Sequence, residues 1–214
     1  MVRRLILAAL IALAAPAGAA LAAQPDTPAA STLSPADQAL VDKATAYLDG
    51  LGEAQARFVQ TDGRGHTTEG DLYLSRPGKA RFEYDRPASM LIVSDGSQVM
   101  LYDKRLKTFE NYPLNQTPLG LFLQRRVRLD GKVRITRVDR VSGGFSITAR
   151  DKAHEGQGQL TLSFSDDPVR LEGWTLIDAQ GGRTTVTLKA LHPVSGLQPG
   201  LFVLRDPRLP APIR

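Results

Sequence analysis

Between residues 70 and 96, GDLYLSRPGKARFEYDRPASMLIVSDG, apolar and polar positions alternate in three short runs. Arg76-Pro77-Gly78 and Asp85-Arg86-Pro87 separate them and supply turn chemistry. A period of two is that of a strand with one buried face. In the middle run Ala80, Phe82 and Tyr84 share one face, while Lys79, Arg81, Glu83 and Asp85 share the other. The stretch reads as an antiparallel meander with a dry face and a wet one. Similar runs predict strands near 53–61, 67–75, 79–85, 89–94, 98–103 and 108–113, then 132–138, 144–150, 159–165, 170–178, 183–190 and 201–204. Asp62-Gly63, Asp95-Gly96, Gly143-Gly144, Asp166-Asp167-Pro168 and Gly181-Gly182 mark turns between them. Such even spacing predicts a mainly β fold: one strongly curved antiparallel sheet, an open or incomplete β-barrel of about 11–12 strands.

Two segments carry the helical period instead. Ser34 as cap, Pro35 at the first helical position and Asp37 in the first turn open a helix. Leu40, Val41, Ala44, Tyr47, Leu48 and Leu51 form its apolar stripe, and Gly50 and Gly52 end it. Thr117-Pro118 opens a second helix, expected over 118–129, with Leu119, Phe122, Leu123 and Val127 on one face and Arg125, Arg126 and Arg128 nearby. Set between strands, this helix either covers one mouth of the barrel or is an ordinary connection on the sheet edge.

The chain opens with MVRRLILAALIALAAPAGAALAA. Arg3 and Arg4, an apolar run over 5–15 and the small-residue site Ala20-Leu21-Ala22 predict a cleaved signal peptide over 1–23, hence export to the periplasm. The apolar run is short for a membrane span, and Pro16 and Gly18 break it. Residues 24–33, rich in Pro, Ala, Thr and Ser, read as a flexible leader. A single domain is expected over 34–206, followed by a proline-rich tail over 207–214 that cannot extend a ladder.

Composition narrows the function. The chain has no cysteine, so an exported product holds together by its core, without disulfides or a lipid anchor of its own. The 27 basic residues become 25 without Arg3 and Arg4, against 22 acidic ones, leaving a mature charge of +3. The charges are scattered, which does not fit a nucleic-acid partner. Catalytic signatures are missing: there is no G-x-S-x-G elbow, no H-E-x-x-H and no phosphate-binding glycine loop. His66, His154 and His192 stand apart in loops or at strand ends, and Asp166-Asp167 belongs to a turn, so neither a metal, a cofactor nor an enzymatic activity is expected.

Apolar surface remains. Phe58, Leu72, Leu74, Phe82, Tyr84, Ile92 and Leu101 are the candidates for the concave face of the sheet. Periodicity alone does not separate the lining of a ligand cavity from a solid core. Arg76, before Pro77 at a strand end, is by itself a solvated turn charge.

Around these positions the motifs resemble the LolA family of periplasmic lipoprotein carriers. The resemblance rests on Phe58-Val59-Gln60, on Arg76-Pro77 followed by Phe82 and Tyr84, and on Ser94-Asp95-Gly96 followed by Leu101-Tyr102. It spans about residues 33 to 206, with its specific motifs confined to 58–103. It implies that the seven apolar residues line a cavity for acyl chains. Helices carrying Leu40, Leu48 and Phe122 would form a lid, and Arg76 would latch the empty cavity by bonding lid-helix backbone. It further implies a monomer that receives acylated lipoproteins from an inner-membrane lipoprotein-releasing ABC transporter. Delivery would be to an outer-membrane receptor lipoprotein or a membrane acceptor. Some members have a strand-forming tail, which the prolines after Asp206 argue against here. A lipid-sensing periplasmic regulator of the same fold is the alternative, although such relatives carry a second domain. A hydrolase is the remote one.

Overall fold

The structure, a computed structural model, describes residues 33–123, 133–152 and 158–209. The expected signal peptide, nearly all of the leader and the last five residues of the tail lie outside them, as does His154.

Eleven strands form one antiparallel sheet: β1 Glu53–Asp62, β2 Thr67–Ser75, β3 Lys79–Tyr84, β4 Met90–Asp95, β5 Gln98–Asp103, β6 Thr108–Pro113, β7 Val133–Val141, β8 Gly144–Asp151, β9 Gly158–Asp166, β10 Val169–Asp178 and β11 Arg183–Pro193. Their order is β6-β5-β4-β3-β2-β1-β11-β10-β9-β8-β7, so β1 pairs with β11 but β6 and β7 do not meet and the barrel stays open. The expected twelfth strand over 201–204 is a correction. Pro199–Phe202 is a turn of 3-10 helix, with Pro199 in the position that a fixed φ favours. It lies on the outer face, where Arg81 Nη1 donates to the Leu201 carbonyl at 3.1 Å.

Register decides what faces inward. Phe58 of β1 pairs with Leu188 of β11, Leu72 with Phe82, and Phe82 with Ile92. One large buried cluster on the concave side results, running from Ala54 through Leu101 to Phe145, Phe164 and Val186. Bulges at Gln55/Arg57, Leu171/Gly173 and Ile135/Arg137 bend the sheet around it. At the second of these the backbones run so close that a Cβ on Gly173 would stand 2.1 Å from the Val186 carbonyl oxygen.

Over β1, β2 and β8 to β11 many outward positions are polar and β-branched, whereas on β4 and β5 the outward Leu91, Val93 and Met100 form a second buried apolar cluster with Phe109 and Leu204. Thr67, Thr61, Thr185, Thr175, Thr161 and Thr148 lie side by side across β2, β1, β11, β10, β9 and β8. Hydroxyls bond between Thr148 and Thr161 at 2.9 Å and between Thr175 and Thr185 at 3.1 Å. Such pairs stabilise a pleated, half-exposed face without making it greasy. On β1 to β3 charges take over: Arg57 bonds Asp85 and lies 3.2 Å from Asp71.

Helix α1, Pro35–Gly50, starts as expected, with Ser34 Oγ accepting from the Asp37 N–H at 3.1 Å. Leu40, Val41, Ala44 and Leu48 enter the core. Arg140 to Asp37 and Lys43 to Asp166, each 2.8 Å, tie the helix to the ends of β7 and β9. Helix α2 is described over Pro118–Leu123, and the rest of the expected span lies outside the described residues.

Bonds from Ser34 and Arg140 hold the Asp37 carboxyl below its usual 3.8. A carboxylate whose pKa is lower when folded contributes stability above its unfolded value, lost as pH falls through the folded one. Thermal unfolding should therefore show Asp37→Asn less stable than the parent at pH 7 and the two converging below about pH 4. A difference that stays constant on acidification would count against this ion pair.

Candidate functional site

The seven strand residues singled out from the alternating pattern all lie in the concave cluster, together with Leu40 and Leu48 of α1 and Phe122 of α2. Their rings interlock. Phe58 meets Phe82 and Tyr84 edge-on at centroid distances of 5.6 and 5.0 Å. Phe82 meets Trp174 of β10 at 6.0 Å, and Trp174 stacks on Phe122 at 5.8 Å. Sequence reading missed Trp174, although it is the chain's one tryptophan. It bridges the strand face to the covering helix. Tyr84 adds a polar handle: its hydroxyl donates to Gln60 Oε1 at 2.7 Å, and burial pushes the phenol well above its ordinary pKa, so it stays neutral.

The two ends of the half-barrel differ. At one end α2 sits against the β2–β3 corner. Gly78 N–H donates to the Leu123 carbonyl at 2.7 Å, which satisfies an acceptor at the helix C-terminus. The corner accepts only glycine there: φ is +82°, and a Cβ would stand 2.7 Å from the Gly96 Cα. Ser94 Oγ, buried, donates to the Gly78 carbonyl at 2.6 Å and fixes the corner to β4.

Arg76 lies at the junction. Its backbone N–H donates to the Gly52 carbonyl beyond α1 at 3.0 Å. Its guanidinium carbon stands 5.9 Å from the centre of the Phe122 ring. Burial pulls its pKa down while the Asp49 carboxylate of α1 acts the other way; a guanidinium nonetheless keeps its charge. Arg76 thus lies near groups from both helices, as a residue coupling strand corner to cover would.

The opposite end is open. A cavity of about 680 Å³ lies between the start of β2, the β3–β4 loop and strands β4 to β6. Met90 and Leu101 supply apolar lining, with Ala88 and Leu106, while Thr68 and Thr108 bring hydroxyls. Of the seven strand residues, Leu101 is the one lining this space; the others contribute to the ring and aliphatic cluster further in.

Among the described residues no three His, Cys, Asp or Glu side chains gather as a metal site. His66 bonds Asp62 within its turn at 3.1 Å, and His192 bonds the Ala190 carbonyl at 2.7 Å. Among the described residues no helix is long and apolar enough to cross a membrane.

The chain resembles known proteins in sequence. The family model "LolA: Outer membrane lipoprotein carrier protein LolA" matches residues 49–205. An outer-membrane lipoprotein carrier protein of Chromobacterium violaceum is 37% identical over 188 residues, covering 84% of this chain and 90% of the relative. One of Azotobacter vinelandii is 30% identical over 190 residues, covering 83% and 90%. A crystal structure of a LolA superfamily protein from Nitrosomonas europaea superposes with a TM-score of 0.47 at 11% identity, covering 78% of this chain and 97% of that one.

Loss of the Ser94 hydroxyl leaves the buried Gly78 carbonyl without that donor, which costs about 1–3 kcal/mol. Denaturant unfolding of Ser94→Ala should show a loss of that size with an unchanged slope. A loss below about 0.5 kcal/mol would mean the corner does not depend on this bond.

Proposed function

The chain belongs to the LolA family of outer membrane lipoprotein carrier proteins, and we propose that it holds the acyl chains of lipoproteins against its concave face and ferries them through the periplasm from the inner to the outer membrane. The observation that carries this reading is a large apolar face on an unclosed sheet, covered at one end by a six-residue helix. The physical need is plain. Each methylene exposed to water costs about 0.8 kcal/mol, so one long acyl chain costs on the order of 10 kcal/mol. A carrier must match that with apolar surface and still release it.

In this reading Phe58, Leu72, Leu74, Phe82, Tyr84, Ile92 and Leu101 receive the chains, and the helices bearing Leu40, Leu48 and Phe122 cover them. Arg76 latches the empty state, and a signal peptide over 1–23 delivers the monomer to the periplasm. Loading would come from an inner-membrane ABC transporter, and delivery would go to an outer-membrane receptor lipoprotein or membrane acceptor. Carriage itself makes and breaks no covalent bond.

A solvatochromic hydrophobic dye should bind the folded protein and be displaced by an acylated peptide but not by its unacylated form. If no acylated molecule is taken up, the carrier reading fails.

The latch has its own test. A cation over an aromatic face is worth about 0.5–2 kcal/mol. Arg76→Leu should take up acylated peptide about as well as the parent, yet pass it to acceptor membranes about three- to tenfold more slowly, because the closed state competes less with bound lipid. Equal transfer rates would remove Arg76 from the latch.

A further inference from the structure

We propose that the rim of the open end docks on an anionic bilayer surface. Lipid phosphates would enter a cleft between the β3–β4 loop and the β5–β6 hairpin, and Leu106 would rest at the acyl boundary. The inference rests on the carrier reading and adds where, and on what surface, the mouth opens.

The cleft has a volume of about 360 Å³, and its lining includes Arg86, Lys104, Arg105 and Ser89. It adjoins the apolar cavity, since Arg86, Pro87 and Arg105 line both. Beyond it the hairpin tip reads Lys104-Arg105-Leu106-Lys107, all four exposed, with Leu106 37% exposed among three cations. A large apolar side chain ringed by cations suits the interface of an anionic membrane. Arginine adds planar, bidentate recognition of phosphate.

The neighbouring carboxylates are already engaged. Asp85 bonds Arg57, which also lies 3.7 Å from Glu69. Glu83 bonds Arg81 at 2.9 Å and shares Lys104 at 3.3 Å, while Glu110 accepts from the Tyr112 hydroxyl. Asp103 Oδ1 accepts the Arg105 and Leu106 N–H groups, each at 2.8 Å, which presents the tip in one conformation. Among the described residues Arg86, Arg105 and Lys107 have no ion-pair partner.

The two loops also form one unit. The Lys104 N–H donates to the Ser89 carbonyl at 3.3 Å, and the Ser89 N–H to the Asp85 carbonyl at 3.1 Å. Ser89 and Lys107 hold left-handed backbone, φ 48° and 54°, a conformation found mostly where the surroundings impose it. The opposite end, by contrast, is occupied by α2.

The test is flotation of the whole protein with vesicles of phosphatidylcholine alone and of phosphatidylcholine mixed with phosphatidylglycerol. The parent should float with the mixed vesicles only, and lose that binding as salt rises toward about 1 M. Removing one surface cation weakens binding about fivefold, so Arg86→Gln with Arg105→Gln should lose about twenty- to thirtyfold. Arg86→Lys with Arg105→Lys should retain binding within about fivefold, and Leu106→Ser should lose about tenfold. All these positions are exposed. Docking is overturned if the parent floats with neither vesicle, if it floats equally with both, or if the double Gln variant binds as the parent does. Failure of the parent to take up acylated peptide would instead strike the carrier reading.

Discussion

An open curved sheet with an apolar concave face must be covered, and every other feature of this molecule answers to that constraint. Closure would bury the face permanently inside a barrel. Here the order of strands ends at β6 and β7, so helices do the covering. The two helices are fastened differently. Helix α1 buries four side chains and carries two ion pairs to strand ends. Within the described residues helix α2 spans Pro118–Leu123. Its position depends on ring contacts of Phe122, on the Gly78 bond to Leu123 and on the charge of Arg76. Each such contact is worth about 0.5–3 kcal/mol, below the gain from burying a long acyl chain. In the proposed carrier, a cover of that strength would close over an empty face and yield to lipid.

The corner at Arg76-Pro77-Gly78 is where strand geometry becomes helix position. Positive φ and crowding against Gly96 demand glycine, the serine of β4 fixes that glycine's carbonyl, and its N–H then meets the helix. A strand corner that ends in two satisfied backbone groups transmits position more faithfully than one charged side chain. The arginine adds an attraction that depends on the ring beneath it.

Polarity is arranged with the same economy. Inward positions hold few polar groups, among them Tyr84 with Gln60, its phenol kept neutral by burial, and Ser94 on the Gly78 carbonyl. Outward positions carry a threonine row, a charged network around Arg57 and, on β4 and β5, an apolar cluster of Leu91, Val93 and Met100. Cations left over from that network gather at the mouth opposite α2, where the cavity meets solvent. One end is thus plugged and the other is open, with Arg86 and Arg105 standing among Glu69, Asp85, Asp103 and Glu110 in its lining.

Much of this was legible in the chain. Period-two alternation located β1 to β11 within a few residues, and the Ser34-Pro35 start located α1, because inward and outward faces differ sharply in polarity. The stretch at 201–204 misled, since Leu201, Phe202, Val203 and Leu204 look like a buried strand; Pro199 and the outer-face contact with Arg81 decide otherwise. Trp174 gave no local signal of its part in the site, and Gly78 and Ser94, though part of the turn and family motifs, gave none of the bond between them, because each acts on a residue brought near by register or by a turn. Local sequence by itself determined which residues avoid water and where the chain turns, for those follow from side-chain chemistry and backbone sterics. Only the tertiary structure decided that β1 meets β11 while β6 and β7 stay apart, that α2 rests on the glycine corner and that Arg86 and Arg105 share one cleft with Lys104, because those depend on pairings between strands that the sequence does not place side by side.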